Sequence, residues 1–353
     1  MTVLDGLSVP VVQAPMAGGP STPELAAAVN RGGGLGFVAA GYLTPERLRE
    51  QLQRTAALTD RRYGVNLFVG SGRPADPEAV AAYEQRLAPT ARRAGAQLGE
   101  PRFDDDRFTE KAKLLVDDSF PGLTVVSFTF GLPPADAVRA LRAAGFELWV
   151  TVTSVDEARA AAAAGADALV VQGVEAGGHR GVFVDDDAQS ELTLLSALQL
   201  IAAAVTLPLV GAGAIMTGAG LATVLAAGAA AGQVGTAYLR SPEAGTSDAQ
   251  RDATAGTAPT VLTRAFSGRT ARGIVNRWHA EHGDAAPAAY PEVHHLTAPL
   301  RAAGRAAGDP DLINLWAGEA HALATSVPAE EITRRLGADA AAALAAAVAR
   351  LRG

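Results

Sequence analysis

The chain contains no cysteine. Disulfides, thiolate catalysis and Cys-ligated zinc or iron–sulfur centres are therefore excluded. Aromatic residues are scarce, at 5% of 353 residues, while alanine is abundant. That balance suits helices packed closely on another layer. No long basic block exists and the net charge is −7, which argues against nucleic acid as the main partner. No apolar run reaches the roughly 18 residues of a spanning helix. The alanine runs at 160–164 and 340–347 are short and flanked by charge. The opening "MTVLDGLSVPVVQAPM" carries Asp5 and no basic stretch ahead of an apolar one, so neither a signal peptide nor a membrane partner is expected, and a cytoplasmic location is the default. Oligomeric state is not readable.

What is present is a core-forming chain, 48% hydrophobic, long enough for one large domain or two ordinary ones. A short β-branched run, a polar or glycine turn and an amphipathic helix recur along it. The runs are residues 9–17, 35–41, 63–70, 123–131, 147–154, 168–173, 207–215 and 231–239. They are apolar on both faces, as a parallel sheet covered by helices requires. "SVDEARAAAAAG" shows the helix signals most clearly: Ser154 as cap, acids in the first turn, Gly165 as the stop. Eight β/α units in series predict a (β/α)8 barrel. The competitor, a doubly wound open sheet, lacks support because no G-x-G-x-x-G turn follows the first strand. Residues 1–240 are read as the barrel, 241–308 as a smaller, mostly helical cap, and 309–353 as C-terminal helices packing back. Residues 71–120 break the rhythm with more than one helix.

In such a barrel the strand C-termini and the loops after them form the active face. The stretches that fall there are "QAPMAGG", Asn66 with "VGSGR", Gln172 with "EAGGHRG", "GAGAIMTGAG" and "GQVGT". They are rich in glycine, which lets backbone N–H groups approach a ligand and adopt positive φ. "GAGAIMTG" opens a helix at Thr217 whose N–H groups and dipole favour an anion. The plain alternative is that these glycines only shape tight βα turns. Their place after the seventh and eighth strands favours a phosphate monoester.

These residues resemble the nitronate monooxygenases, the flavin-dependent family once called 2-nitropropane dioxygenases. The resemblance rests on "PVVQAPMAGG", "GVNLF", "QGVEAGGHRG", "LPLVGAGAI", "GQVGTAYLRSPEAG", "AFSGRTARGIVN" and "LWAGE" and spans about residues 9–320. Flavin-dependent enoyl-acyl carrier protein reductases share the barrel and much of the motif set. The resemblance implies FMN at the barrel mouth without iron. It implies flavin contacts from Asn66, Gln172 and Gly177, with Ala14, Pro15 and Met16 beside the ring. It implies phosphate contacts from Ala214, Gln233, Val234, Gly235 and Thr236, and a catalytic histidine at His179. Gly178 and Gly213, in the same loops, join the cofactor-binding set. Two residues depart from the pattern. Ala214 replaces a usual glycine, tolerable if its φ is negative. Glu319 replaces a usual glutamine, so its carboxylate either points away or alters the site.

The implied reaction is oxidation of a small alkyl nitronate, such as propionate 3-nitronate, by O2. A carbonyl compound and nitrite or nitrate are the products, and the cofactor carries the hard step. His179 would hydrogen-bond the nitronate as neutral imidazole or imidazolium, or act as a base toward a neutral nitroalkane. The alternatives are an enoyl-thioester reductase using NAD(P)H and a non-catalytic flavin-binding protein. Other polar groups have plainer readings. Arg180 is expected to pair with Asp185 or Asp186, and Glu175 to bond backbone N–H groups. His279 with His282, and the adjacent His294 and His295, are not expected to bind metal. Tyr238, Tyr290 and Trp316 are candidate pocket walls or ordinary packing.

Overall fold

The computed structural model describes residues 2–70, 74–186 and 189–352. Its strands are β1 (Val11–Gln13), β2 (Gly36–Ala39), β3 (Tyr63–Phe68), β4 (Leu123–Thr129), β5 (Glu147–Val152), β6 (Ala168–Gln172), β7 (Gly178–His179), β8 (Leu209–Ala212), β9 (Ala231–Val234), β10 (Thr260–Thr263) and β11 (Ala271–Ile274). Eight of them form one sheet in the order β1-β9-β8-β6-β5-β4-β3-β2. Every pairing in it is parallel. Leu35 closes the ring, donating to the Val11 carbonyl and accepting from the Gln13 N–H, both at 2.9 Å. The expected (β/α)8 barrel is what forms.

Its helices are α1 (Pro23–Arg31), α2 (Pro45–Leu58), α3 (Pro77–Arg93), α4 (Phe108–Asp117), α5 (Ala135–Ala143), α6 (Val155–Ala163), α7 (Leu194–Ala202), α8 (Gly218–Ala226), α9 (Asp248–Ala255), α10 (Arg277–His282), α11 (Glu292–Ala307) and α12 (Ala329–Arg352). The start signals act as the sequence suggests. The Ser154 side chain accepts from the Glu157 N–H at α6, and Thr22 accepts from Leu25 at α1, with Pro23 in the first turn.

Alternation along the strands sorts side chains into two layers. Val12, Phe37, Val125, Trp149, Val170 and Val210 fill the barrel interior. Val11, Val38, Val126, Leu148, Val171 and Leu209 pack outward against the helices. Trp149 is fully buried, and its indole N–H donates to Glu147 at 3.2 Å. Gly64 leaves the room that the Phe37 ring occupies: a Cβ there would lie 2.4 Å from it.

All eight barrel strands are shorter than their apolar runs, and two of the truncations shape the mouth. β1 stops at Gln13, so Ala14–Met16 belong to the rim. β9 stops at Val234, where Gly235 turns the chain into a short 3-10 turn, Thr236–Tyr238. Both truncations release backbone for the barrel mouth.

A lobe covers that mouth, built from two distant segments. The apolar face of α3, with Val80, Tyr83 and Leu87, packs against Phe266, Trp278, Val293, Leu296 and Leu300. Tyr83 and Trp278 both donate to the Ala265 carbonyl. The lobe also holds a three-stranded antiparallel sheet, β10-β11-β7. β7 lies in the loop after β6, and pairs His179 with Ala271. The barrel and the lobe are thus stitched together at the histidine.

Candidate functional site

One cavity of about 470 Å³ lies between the barrel mouth and the lobe. Ala14, Pro15, Met16, Asn66, Gln172, Gly177, Gly178, His179, Gly213, Ala214, Gln233, Gly235 and Thr236 all line it. Val234 does not: its side chain sits in the layer between barrel and helices, and its carbonyl accepts from the Ala14 N–H at 2.8 Å.

At one end of the cavity the backbone is held open for an anion. The N–H groups of Ala214, Ile215 and Gly235 find no protein acceptor among the described residues. Thr236 Oγ1 accepts from the Gly318 N–H at 3.0 Å, which leaves its own hydrogen for a ligand. A Cβ on Gly235 would fill the cradle, 3.2 Å from Ala14 Cβ and 3.5 Å from Met16 Sδ. Uncharged N–H and O–H donors of this kind suit a phosphate monoester. The expected helix terminus plays a smaller part. The cavity lining ends at Met216, and the first turn of α8 packs on α12, with Gly218 against Asp339 and Ala340.

Ala214 departs from expectation. Its φ is +50°, not negative, directly after Gly213 at +139°. An L-residue here is in the left-handed region that glycine occupies without cost.

Along the barrel mouth the polar strand ends are cross-linked. Asn66, 2% exposed, donates to Ser127 Oγ at 2.9 Å and Thr129 Oγ1 at 3.0 Å. Parallel register places Ser127 directly beside Asn66. Gln172 holds the following loop: its Nε2 donates to the His179 carbonyl, and its Oε1 accepts from the Gly181 N–H and from Arg180. Arg180 is buried and bonds Gln172, the Gly173 carbonyl and the Ser190 carbonyl. The expected pairing with Asp185 does not form, since that carboxylate takes Arg264. Burial pushes the Arg180 guanidinium down to about 10. Glu175 behaves as expected, accepting from the Leu194 N–H. Glu319 points away, pairing with Arg272 at 3.1 Å while half-exposed.

His179 faces the cavity and is enclosed by protein beyond it. Nε2 lies 2.8 Å from Ser267 Oγ. Phe130, Tyr290 and Trp316 surround the ring, with centroids 5.5–5.8 Å away. Desolvation pushes its pKa down to about 3, and the Arg269 and Arg301 guanidiniums push the same way. The ring is therefore neutral at physiological pH in the free protein. Arg269 is buried over the Phe130 face, 4.0 Å from its centroid, and bonds the carbonyls of Arg180 and Val182.

Several lining residues lie outside the quoted motifs: Tyr42, Phe130, His294 and Arg301 reach the cavity, as do Phe68 of "GVNLF" and Ser267 of "AFSGRTARGIVN", neither singled out by its motif. Ser127 and Thr129 stand two apart at the end of β4, a polar alternation visible in "VVSFTFG". His294 stacks on Tyr42 at 4.1 Å, and its neighbour His295 turns away to Asp104. Of the three aromatic candidates, Trp316 lines the cavity, Tyr290 backs His179, and Tyr238 is buried in the core with its hydroxyl on Thr333. Among the described residues, no group of three or more His, Asp or Glu could hold a metal, and no helix is long and apolar enough to cross a membrane.

Comparison with known proteins places this architecture. A family model described as nitronate monooxygenase matches residues 2–339. A nitronate monooxygenase of Pseudomonas aeruginosa is 41% identical, over 95% of this chain and 97% of its own length. One from Paraburkholderia phytofirmans is 40% identical over 94% and 92%. The solved structure of a nitroalkane oxidase from Streptomyces ansochromogenes superposes with a TM-score of 0.93 at 46% identity, covering 98% of this chain and 99% of that one. FabK from Thermotoga maritima, 24% identical with a TM-score of 0.75, shares the fold.

Proposed function

Because this chain belongs to the nitronate monooxygenase family, and so to the oxidoreductases, we propose that it oxidises small alkyl nitronates, such as propionate 3-nitronate, with bound FMN and O2. The products are a carbonyl compound and nitrite or nitrate. One observation carries the reading: unpaired backbone donors and a neutral, cavity-facing imidazole share one cavity.

The residues fit the flavin nucleotide. Ala214, Ile215, Gly235 and Thr236 would hold its phosphate, and Asn66, Gln172 and Gly177 its ring, beside Ala14, Pro15 and Met16. When bound, FMN supplies one-electron oxidation of the nitronate and onward transfer to O2. The chain's own groups bind and orient the substrate. Neutral His179 hydrogen-bonds the nitronate oxygens but cannot offset their charge; the nearby guanidinium of Arg269 does that through the low-dielectric interior. Toward an uncharged nitroalkane the same imidazole is a weak base, because the burial that keeps it unprotonated also lowers its affinity for a proton; its part is to hydrogen-bond a substrate that arrives as the nitronate. The aromatic ring around it excludes water.

The test is a visible spectrum of the purified protein followed by oxygen uptake with ethyl or propionate nitronate. A flavin spectrum and rapid uptake are expected. His179→Asn should keep the flavin and lose turnover by roughly a hundredfold or more, the scale of a positioned acid–base or hydrogen-bonding group. Colourless protein that takes up no FMN overturns the cofactor reading. Undiminished turnover in His179→Asn removes the histidine from the chemistry.

A further inference from the structure

The cavity has a second charged feature that neither the barrel nor the flavin reading uses. Arg301 on α11 is 7% exposed and lines the cavity. Its Nε donates to Thr297 Oγ1 at 3.1 Å, and one terminal nitrogen donates to His294, at 2.8 Å to the carbonyl and 3.2 Å to Nδ1. The other terminal nitrogen has no acceptor, and no carboxylate pairs with the guanidinium, among the described residues. A buried charge without a counter-ion is costly and is retained where a ligand completes it.

The surrounding groups are arranged around that unpaired face. Because Arg301 donates to His294 Nδ1, the proton of that neutral imidazole resides on Nε2, which makes the ring a donor on its other side. His294 is held against Tyr42 by stacking. One helical turn further on, Arg305 lines the outer end of the same cavity, also without an ion-pair partner among the described residues. His179, His294 and Arg301 all line the cavity, and Tyr290 bridges the two imidazoles from behind, with ring centroids 5.8 and 6.3 Å away. The imidazole of His179 and the guanidinium of Arg301 thus face one ligand space.

We infer that Arg301, supported by His294 and Arg305, is a specificity-determining subsite for a carboxylate at the far end of the nitronate. The planar guanidinium edge matches a carboxylate in a way that a point charge does not. The inference rests on the nitronate reading for the reacting end, but the subsite itself can be tested without turnover.

The first measurement compares kcat/KM for propionate 3-nitronate with that for propyl-1-nitronate, which lacks the carboxylate. The wild-type holoenzyme should favour the acid by tenfold or more. In Arg301→Met that ratio should collapse toward one, whatever happens to absolute rates, and Arg301→Lys should recover only part of it. Arg305→Met, at the exposed rim, should lower the ratio by a few-fold and keeps the test open if the buried variant fails to fold. A wild-type ratio near one, or a ratio unchanged in all three variants, overturns the inference.

The second measurement is binding of succinate, a non-reacting mimic of the doubly anionic substrate, read by perturbation of the flavin spectrum. Wild type should bind succinate and not butyrate, and Arg301→Met should lose it. Succinate binding with no turnover of either nitronate would sink the nitronate reading and leave the carboxylate subsite standing. Inorganic phosphate binding as well as succinate, and lost in the same variant, would assign the guanidinium to a phosphate-bearing ligand and overturn the carboxylate reading.

Discussion

The two walls of the cavity are made of different materials. The barrel wall is small and uncharged: Ala14, Gly177, Gly213 and Gly235 bring backbone close, and its open donors are backbone N–H groups and the Thr236 hydroxyl. The lobe wall supplies side chains, including the charged residues Arg301 and Arg305. A cofactor that every turnover reuses can be held by fixed backbone, because the same atoms meet it each time. A substrate that must be selected, bound and released is read by side chains, whose charge and shape can differ at no cost to the barrel.

That division can be stressed from either side. Acid should damage the lobe wall most. Burial holds His179 down to about 3 and His294 lower still, so both stay neutral in the folded protein while the unfolded chain titrates near 6.5. Their contribution is fully present above that pH and is lost as pH falls through it, down toward the folded values. Between pH 7.5 and 5.5 the two together should cost about 3 kcal/mol of stability. Denaturant titrations at the two pH values measure it, and His294→Gln should remove about half. An unchanged pH dependence in that variant would show that the imidazole is not held neutral.

The barrel wall should break by steric means. A Cβ at Gly177 would sit 2.5 Å from backbone atoms of Ala317 and Gly318, which cannot swing aside. Gly177→Val should cost ~1–3 kcal/mol of stability as overpacking, read by denaturant titration, and should weaken flavin uptake, read by quenching of flavin fluorescence. Full affinity would mean that the 173–181 loop yields more easily than its bonds to Gln172 imply. The smallest effect belongs to Ala214. Replacing it with glycine relieves a left-handed alanine and should raise stability by about 1 kcal/mol, seen as a higher melting temperature. A lower one would show that the methyl contributes packing that outweighs its backbone strain.

The same contrast explains what could be read from the sequence. Parallel strands buried on both faces leave long β-branched runs, so all eight barrel strands were legible, as was the cap of α6. The barrel wall was legible because close backbone approach requires glycine, and glycines cluster visibly in "EAGGHRG" and "GQVGT". His294 and Arg301 were not. Their spacing along α11 is that of any helix with a polar stripe, and only the fold turns that stripe inward. The partnership of α3 with a lobe core some 180 residues later leaves no local trace either. Arg180 misled for a related reason: nearby aspartates suggested an ion pair, whereas the buried loop carbonyls needed donors more. At Ala214 the residue type pointed to ordinary backbone, and the turn between Gly213 and Ile215 imposed another.

One consequence follows from the two-residue strand at Gly178–His179. It is laced on one side to Ala271 and, through the carbonyl of His179, to Gln172 at the end of β6. The lobe and the imidazole of His179 are therefore a single mechanical part. Any shift of that small sheet would carry the ring with it, so where the imidazole stands over the mouth is set by how the lobe is seated.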